Sequence, residues 1–309
     1  VEGNTMAENI PVLDMSRCGE KECIENIRQA CEELGCFRIV NHGIATDLLR
    51  QADLVCRDVF KLPKETKIKN VSPVPFAGYY GGVSHDRAFV HETLGIAEVP
   101  NPEAIRDFSN LMWSHGNQNF CKIMEEYTYN MMQLSKRLHQ IILESLGLSK
   151  YYDSHFNHGK TIFRMNMYDV LHELSLETVG LPPHTDSNSI TILYEDEIGG
   201  LQVENKTGDW INVNPIPNTF VVFIGDSFEA WSNRRIRSVK HRVIVKRPNS
   251  RLSLAFFNTF PEKMEIKAPP ELVDDEHPQC YKAFLYGHMI KYRMGDGRMI
   301  QKPLLSFAF

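Results

Sequence analysis

Between residues 161 and 260 the sequence breaks into short runs rich in Val, Ile, Phe and Thr, each closed by Gly, Pro, Asn or Asp. Runs of that length are too short for helices and suit strands, so this stretch must bury itself against other strands, as an antiparallel barrel or sandwich. The candidate strands are 162–168, 189–193, 201–203, 210–213, 219–224, 241–246 and 252–258, a set that suits a jelly roll.

The flanks read differently. Ile24, Ile27, Ala30, Cys31 and Leu34 recur at helical spacing before Gly35, and residues 46–60 form a second amphipathic run. Short strand candidates, 10–14 and 36–40, lie beside them, with Asn41-His42-Gly43 as a turn. Met124, Tyr127, Met131, Leu134, Leu138, Ile141 and Leu146 mark one long helix over 120–146, closed by Gly147. Residues 281–293 show helical spacing again, and this helix is expected to pack on the outside. Residues 73–82, rich in Pro, Gly and aromatics, suit a loop presenting rings to a pocket.

The expected fold is therefore mixed α and β: a double-stranded β-helix (jelly roll) core over about 161–260, a helical N-terminal portion over about 6–160, and a C-terminal helical segment over about 261–309. No repeat or linker interrupts it, so one domain is expected over 6–309. Residues 1–5, ahead of Met6, carry no pattern and read as a tag remnant.

Composition narrows the function. With 42% hydrophobic and 24% charged residues the chain can bury a core, which excludes disorder. A net charge of -5 without a run of five like charges argues against a nucleic-acid partner. No apolar stretch reaches the roughly 18 residues that a membrane span needs. The seven cysteines are odd in number and form no CxxC pair, which favours a reducing compartment, and a cytoplasmic monomer or weak dimer acting on a small molecule is expected. Cys31, Cys36 and Cys56 sit in apolar or helical runs, where a thiol packs as a small hydrophobe.

Two pairs, one distant histidine and a row of three residues carry the chemistry. His184 and Asp186 stand two apart, so in an extended strand both side chains emerge on one face and can grip one ion. His241, 55 residues beyond Asp186, supplies a third ligand from another strand candidate. Two imidazoles and one carboxylate leave open positions on a metal, the facial arrangement of non-haem Fe(II) oxygenases, whereas structural zinc is usually closed by four ligands. Arg251 and Ser253 again share a face, across a 246–250 turn that reads as a hairpin connection. A guanidinium and a hydroxyl so placed make an anchor for a dicarboxylate. Arg164, Asn166 and Tyr168 form a further alternating row, able to meet a bound organic acid.

At these residues the chain resembles the plant-type 2-oxoglutarate and Fe(II)-dependent dioxygenases, from Ile10 to about Arg293. The phrases Ile10-Pro11-Val12-Leu13-Asp14 and Gly35-Cys36-Phe37-Arg38-Ile39-Val40-Asn41-His42-Gly43 resemble the family's amino-terminal region. Trp231-Ser232-Asn233-Arg234, the run around His241 and residues 271–278 look like the group that includes the dioxygenase for auxin oxidation. Residues 111–117 instead resemble a branch of glucosinolate-modifying and lignan-forming enzymes. The resemblance implies that His184, Asp186 and His241 bind Fe(II). It also implies that Arg251 and Ser253 hold the distal carboxylate of 2-oxoglutarate, and that Asn166 and Tyr168 contact the same cosubstrate. Met167 stands where many relatives carry an aromatic residue.

The implied reaction consumes O2 and decarboxylates 2-oxoglutarate to succinate and CO2 while a C–H bond of a small organic substrate is oxidised, in plant hormone or specialised metabolism. Ascorbate is a further reductant that the resemblance allows. Substrate must be held close to the iron by an apolar, ring-lined wall. The wall candidates are Phe76, Tyr79, Tyr80, Arg164, Phe256 and Phe257; the last two are neighbours on a strand, so at most one faces substrate. Two other readings keep the same residues: an ascorbate-dependent oxidase without 2-oxoglutarate, and a barrel that binds a small acid without turnover. Succinate release coupled to substrate loss separates the first from the main reading; an Fe(II) and 2-oxoglutarate absorption band separates the second.

Overall fold

The computed structural model describes residues 10–83, 89–170, 178–245, 250–295 and 302–309. Residues 1–5, most of the expected 246–250 turn, and Lys246 at the end of a predicted strand lie outside them.

Two sheets make the core. The larger runs β1 (Val12–Asp14), β2 (Cys36–Val40), β3 (Tyr79–Val83), β4 (Phe89–Ala97), β5 (Lys160–Val170), then β7, β10 and β12 after the intervening β6 (Thr178–His184). These last three are β7 (Ile190–Glu195), β10 (Phe220–Ile224) and β12 (Arg251–Thr259), and the spatial order is β1-β2-β10-β7-β12-β5-β4-β3. The smaller sheet is β6-β11-β8-β9, with β8 (Leu201–Glu204), β9 (Trp210–Asn212) and β11 (His241–Val245).

The helices are α1 (Lys21–Glu33), α2 (Thr46–Phe60), α3 (Lys64–Lys67), α4 (Pro102–Met112), α5 (Gln118–Ser145), α6 (Asp226–Trp231) and α7 (Tyr286–Met294). Asn117 starts α5 by accepting the Phe120 amide on its side chain, and Asn101 does the same for α4 through the Glu103 amide.

Period-two alternation sorts the larger sheet into two faces. Leu252, Leu254 and Phe256 of β12, with Phe163 and Met165 of β5 and Ile190 and Ile192 of β7, join one buried cluster with Tyr127, Met131 and Leu134 of α5. Arg251, Ser253, Ala255 and Phe257, with Arg164, Asn166 and Tyr168, face the other way and line a cavity. The long helix therefore covers one face, and the opposite face is left for chemistry.

Four expectations need correction. First, β11 and β12 are not a hairpin: β11 pairs with β6 and β8, and β12 with β5 and β7. Each strand has both edges filled by earlier strands, so β11 and β12 lie in different sheets. Second, the second half of the 73–82 loop is the edge strand β3, paired with β4. Third, β6 is a strand where none stands among the candidates; although it carries Gly180, Pro182 and Pro183, among the described residues it pairs with β11 alone, and an edge strand tolerates proline. Fourth, the closing helix starts at Tyr286, because Phe284–Leu285 pairs with Glu265–Ile266, and it buries Tyr286, Met289, Ile290 and Arg293 instead of lying outside.

Candidate active site

β6 delivers His184 as its last residue, directly opposite His241, the first residue of β11. The two imidazole centroids are 4.3 Å apart. Asp186 follows two residues later, where the Asp226 amide at the start of α6 donates to its carbonyl at 2.7 Å. Asp186 Oδ1 lies 3.8 Å from His184 Nε2 and 3.9 Å from His241 Nε2. One ligand atom from each of the three residues falls within 4.8 Å of the other two, and all three side chains are buried.

The ring orientations are fixed from behind. His184 Nδ1 lies 2.9 Å from the Pro182 carbonyl and His241 Nδ1 3.3 Å from the Val239 carbonyl. A carbonyl only accepts, so each Nδ1 carries the proton and each Nε2 presents a lone pair to the shared centre. Phe223 stacks on His241 at 4.6 Å. Burial, reinforced by the neighbouring His241, pushes His184 down to about 3, so it is a neutral ligand at ordinary pH. Burial works against ionising Asp186, but the two histidines, the Thr191 hydroxyl and Arg293 outweigh it and hold the carboxyl below its usual range. Two imidazoles and an ionised carboxylate fit Fe(II), and the three ligands leave room for others.

The anchor row comes from the other sheet. Arg251 faces Tyr168, and Ser253 faces Asn166, across the β12–β5 ladder. Arg251 Nη1 donates to Ser253 Oγ at 3.1 Å, and its guanidinium carbon sits 5.5 Å from the Tyr168 ring centre. Its Nε is buried and has no hydrogen-bond partner among the described residues. An orphaned N–H on a buried guanidinium, beside a serine hydroxyl, fits an incoming carboxylate.

All seven of these residues line one cavity of about 880 Å3. Of the wall candidates, Phe76, Tyr80, Arg164 and Phe257 also line it. Tyr79 and Phe256 do not. Tyr79 donates its hydroxyl to Glu92 Oε1 at 2.7 Å, because neighbours on β3 point to opposite sides and Tyr80 takes the inward position. Phe256 is 1% exposed in the core against α5, for the same reason beside Phe257.

Sequence reasoning missed four participants. Thr191 donates to Asp186 Oδ2 at 2.5 Å; it lies on a predicted strand one alternation from Leu193, and that periodicity was the available signal. Glu195, farther along the same row, accepts from Arg251 Nη2 at 3.1 Å. His91 stacks on Tyr168 at 4.4 Å and is pushed down to about 4 by burial, with Arg164 and Arg251 adding to the shift. Arg293 reaches in from α7, where nothing local in the sequence marks it, and donates to Ser187 Oγ at 2.9 Å. Arg164 Nε donates to Thr93 Oγ1 at 2.6 Å and its guanidinium lies 5.8 Å from the Tyr80 ring; Arg293 lies at the same distance from Phe76. Among the described residues neither cation has a carboxylate in ion-pair range.

Residues 144–259 match the 2OG-Fe(II) oxygenase superfamily, and residues 10–113 match the N-terminal region described for a non-haem dioxygenase in morphine synthesis. The chain is 33% identical to "Probable 2-oxoglutarate-dependent dioxygenase AOP1.2" of Arabidopsis thaliana, over 97% of this chain and 95% of that one. The crystal structure of the dioxygenase for auxin oxidation of rice superposes with a TM-score of 0.84 at 32% identity, covering 97% of this chain and all of the other. JOX2, solved in complex with 2OG, Fe and JA, superposes at 0.82 with 28% identity, over 97% of this chain and 89% of that one.

Proposed function

The chain belongs to the 2OG-Fe(II) oxygenase superfamily, and on that premise we propose how its residues divide the work. It is a 2-oxoglutarate-dependent dioxygenase, an oxidoreductase that uses Fe(II). His184, Asp186 and His241 hold the iron. Arg251 and Ser253 take the distal carboxylate of 2-oxoglutarate, with Asn166 and Tyr168 beside its other end. Bound together, Fe(II) and 2-oxoglutarate supply the activation of O2, with succinate and CO2 as the cosubstrate's products.

The rest of the cavity selects the substrate. Phe76, Tyr80 and Phe257 give it an apolar, ring-lined wall that excludes water from the reacting carbon. Into that wall project half-buried Arg164 and buried Arg293, neither with a carboxylate in ion-pair range among the described residues. A cation in an apolar site is costly without a close counter-charge, and a carboxylate on the substrate supplies one. The substrate is accordingly a small apolar organic acid whose carboxylate lies between Arg164 and Arg293. The observation that carries the reading is the meeting of His184, Asp186 and His241 within 4.8 Å, in one cavity with Arg251.

The seven free thiols and the net charge of -5 support a small-molecule enzyme of a reducing, cytoplasmic compartment, a monomer or weak dimer without nucleic-acid or membrane partner. A hydrophobic cluster shared by α1, α2, α5 and the larger sheet supports one domain over 6–309. Succinate release across a panel of apolar carboxylic acids and their methyl esters tests the proposal. Acids are expected to be oxidised at least about tenfold better than esters, and Arg164→Met or Arg293→Met to abolish the preference. Equal turnover of acid and ester would overturn the substrate assignment; no visible absorption band on anaerobic addition of Fe(II) and 2-oxoglutarate would overturn the cofactor assignment.

A further inference from the structure

The cation that seats 2-oxoglutarate is not a free cation. Glu195 lies on β7 in the row next to Arg251, directly opposite Ser253 across the β12–β7 ladder. Its side chain is 3% exposed, and that of Arg251 is 2% exposed. Oε2 accepts from Arg251 Nη2 at 3.1 Å, while Oε1 is buried without a hydrogen-bond partner among the described residues. On the next strands stands a second cation, Arg38, whose guanidinium donates to Thr219 Oγ1 at 2.7 Å and to the Asn214 carbonyl at 2.5 Å. Its hydrogen bonds therefore go to neutral acceptors. The end of the sheet thus carries Arg38, Glu195 and Arg251 as alternating charges, with the orphaned Nε of Arg251 left over.

Two effects follow from a carboxylate in that position. Glu195 and Ser253 hold the two outer amino groups of Arg251, and Tyr168 lies against its face, so the guanidinium has a single orientation and its Nε–H is left for a ligand. The same carboxylate also competes: a second one arriving at Arg251 meets a like charge in a poorly screened site. An arginine placed only for the tightest grip on a dicarboxylate would lack this neighbour.

We propose that Glu195 is a positioning residue for the cosubstrate, which orients Arg251 and at the same time weakens its hold on the distal carboxylate of 2-oxoglutarate. The inference rests on the reading that Arg251 seats that carboxylate. A glutamine at 195 keeps an acceptor for Nη2 and removes the charge. The measurement is anaerobic isothermal titration calorimetry on the Fe(II)-loaded full chain, with 2-oxoglutarate and with 2-oxobutyrate, which keeps the oxo acid end and lacks the distal carboxylate. Glu195→Gln is expected to tighten 2-oxoglutarate at least about tenfold and to leave 2-oxobutyrate within about twofold. Unchanged or weaker 2-oxoglutarate binding, with 2-oxobutyrate retained, overturns the role of Glu195. An equal change for both ligands also overturns it, since a general structural effect would not discriminate between them. Wild-type protein that binds the two oxo acids equally would sink the reading of Arg251 itself, and the inference with it.

Discussion

Replacing Thr191 with valine probes whether the iron ligands are held by the residues behind them. Thr191 is 2% exposed, and its single hydroxyl proton has two acceptors in reach, Asp186 Oδ2 at 2.5 Å and Asn188 Oδ1 at 3.4 Å. The shorter contact to an ionised group wins, so the substitution removes a charge-assisted hydrogen bond from a metal ligand and little volume. Such a bond is worth about 1.5–3 kcal/mol, roughly 10- to 150-fold in an equilibrium constant, which overlaps the roughly 10- to 100-fold found when groups behind metal ligands are removed. Asn188 Nδ2 loses the Thr191 oxygen at 3.0 Å but keeps the Ile190 carbonyl at 2.6 Å, so folding loses part of a buried hydrogen-bond network as well. The assay is competition for Fe(II) against a chelator under nitrogen, with chemical denaturation run alongside. Expected is a loss of Fe(II) affinity of at least about tenfold, with a loss of stability of no more than about 3 kcal/mol that leaves the chain folded. A loss under about threefold would show that Asp186 needs no help from Thr191.

Other outcomes follow from the same geometry. His184→Ala or Asp186→Ala should abolish Fe(II) binding, measured by metal content after desalting, because two ligands of three remain. Arg251→Ala should raise the 2-oxoglutarate requirement and also destabilise the fold by about 3–5 kcal/mol, read by urea denaturation, because it strands buried Glu195. Phe256→Ala should cost about 3–5 kcal/mol of stability, whereas Phe257→Ala should chiefly alter substrate KM; the reverse pattern would contradict the facing of β12. His139, buried between Ser135 and Ser189, is pushed down from 6.5 to about 4 by burial. The unfolded chain then binds one more proton than the native one between those values. Stability should fall as the pH is lowered through that window, by up to roughly 1.4 kcal/mol per unit, and His139→Asn should flatten that part of the profile.

Local pattern went far in this chain because its chemistry is strand chemistry. His184 with Asp186, Arg251 with Ser253, and Asn166 with Tyr168 are each two residues apart, and an extended backbone puts such pairs on one face whatever they pack against. The same rule restricted Phe256 and Phe257 to opposite sides, and helical spacing located α2 and α5. What period two leaves open is which face becomes the interior of the cavity; that was decided when α5 covered the side bearing Phe256.

The partners of each strand were likewise beyond the sequence. Nothing in residues 241–259 distinguishes a hairpin from a crossing between sheets, because both satisfy the same turn signals; the choice depends on which edges earlier strands had already filled. Arg293, Glu195 and Thr191 enter the site from places where their neighbours in sequence suggest only an outer helix or a sheet wall. Hydrogen bonds and charges facing one cavity are properties of distance in space, so the assembled tertiary structure alone sets two arginines against an apolar wall and a carboxylate behind the anchor.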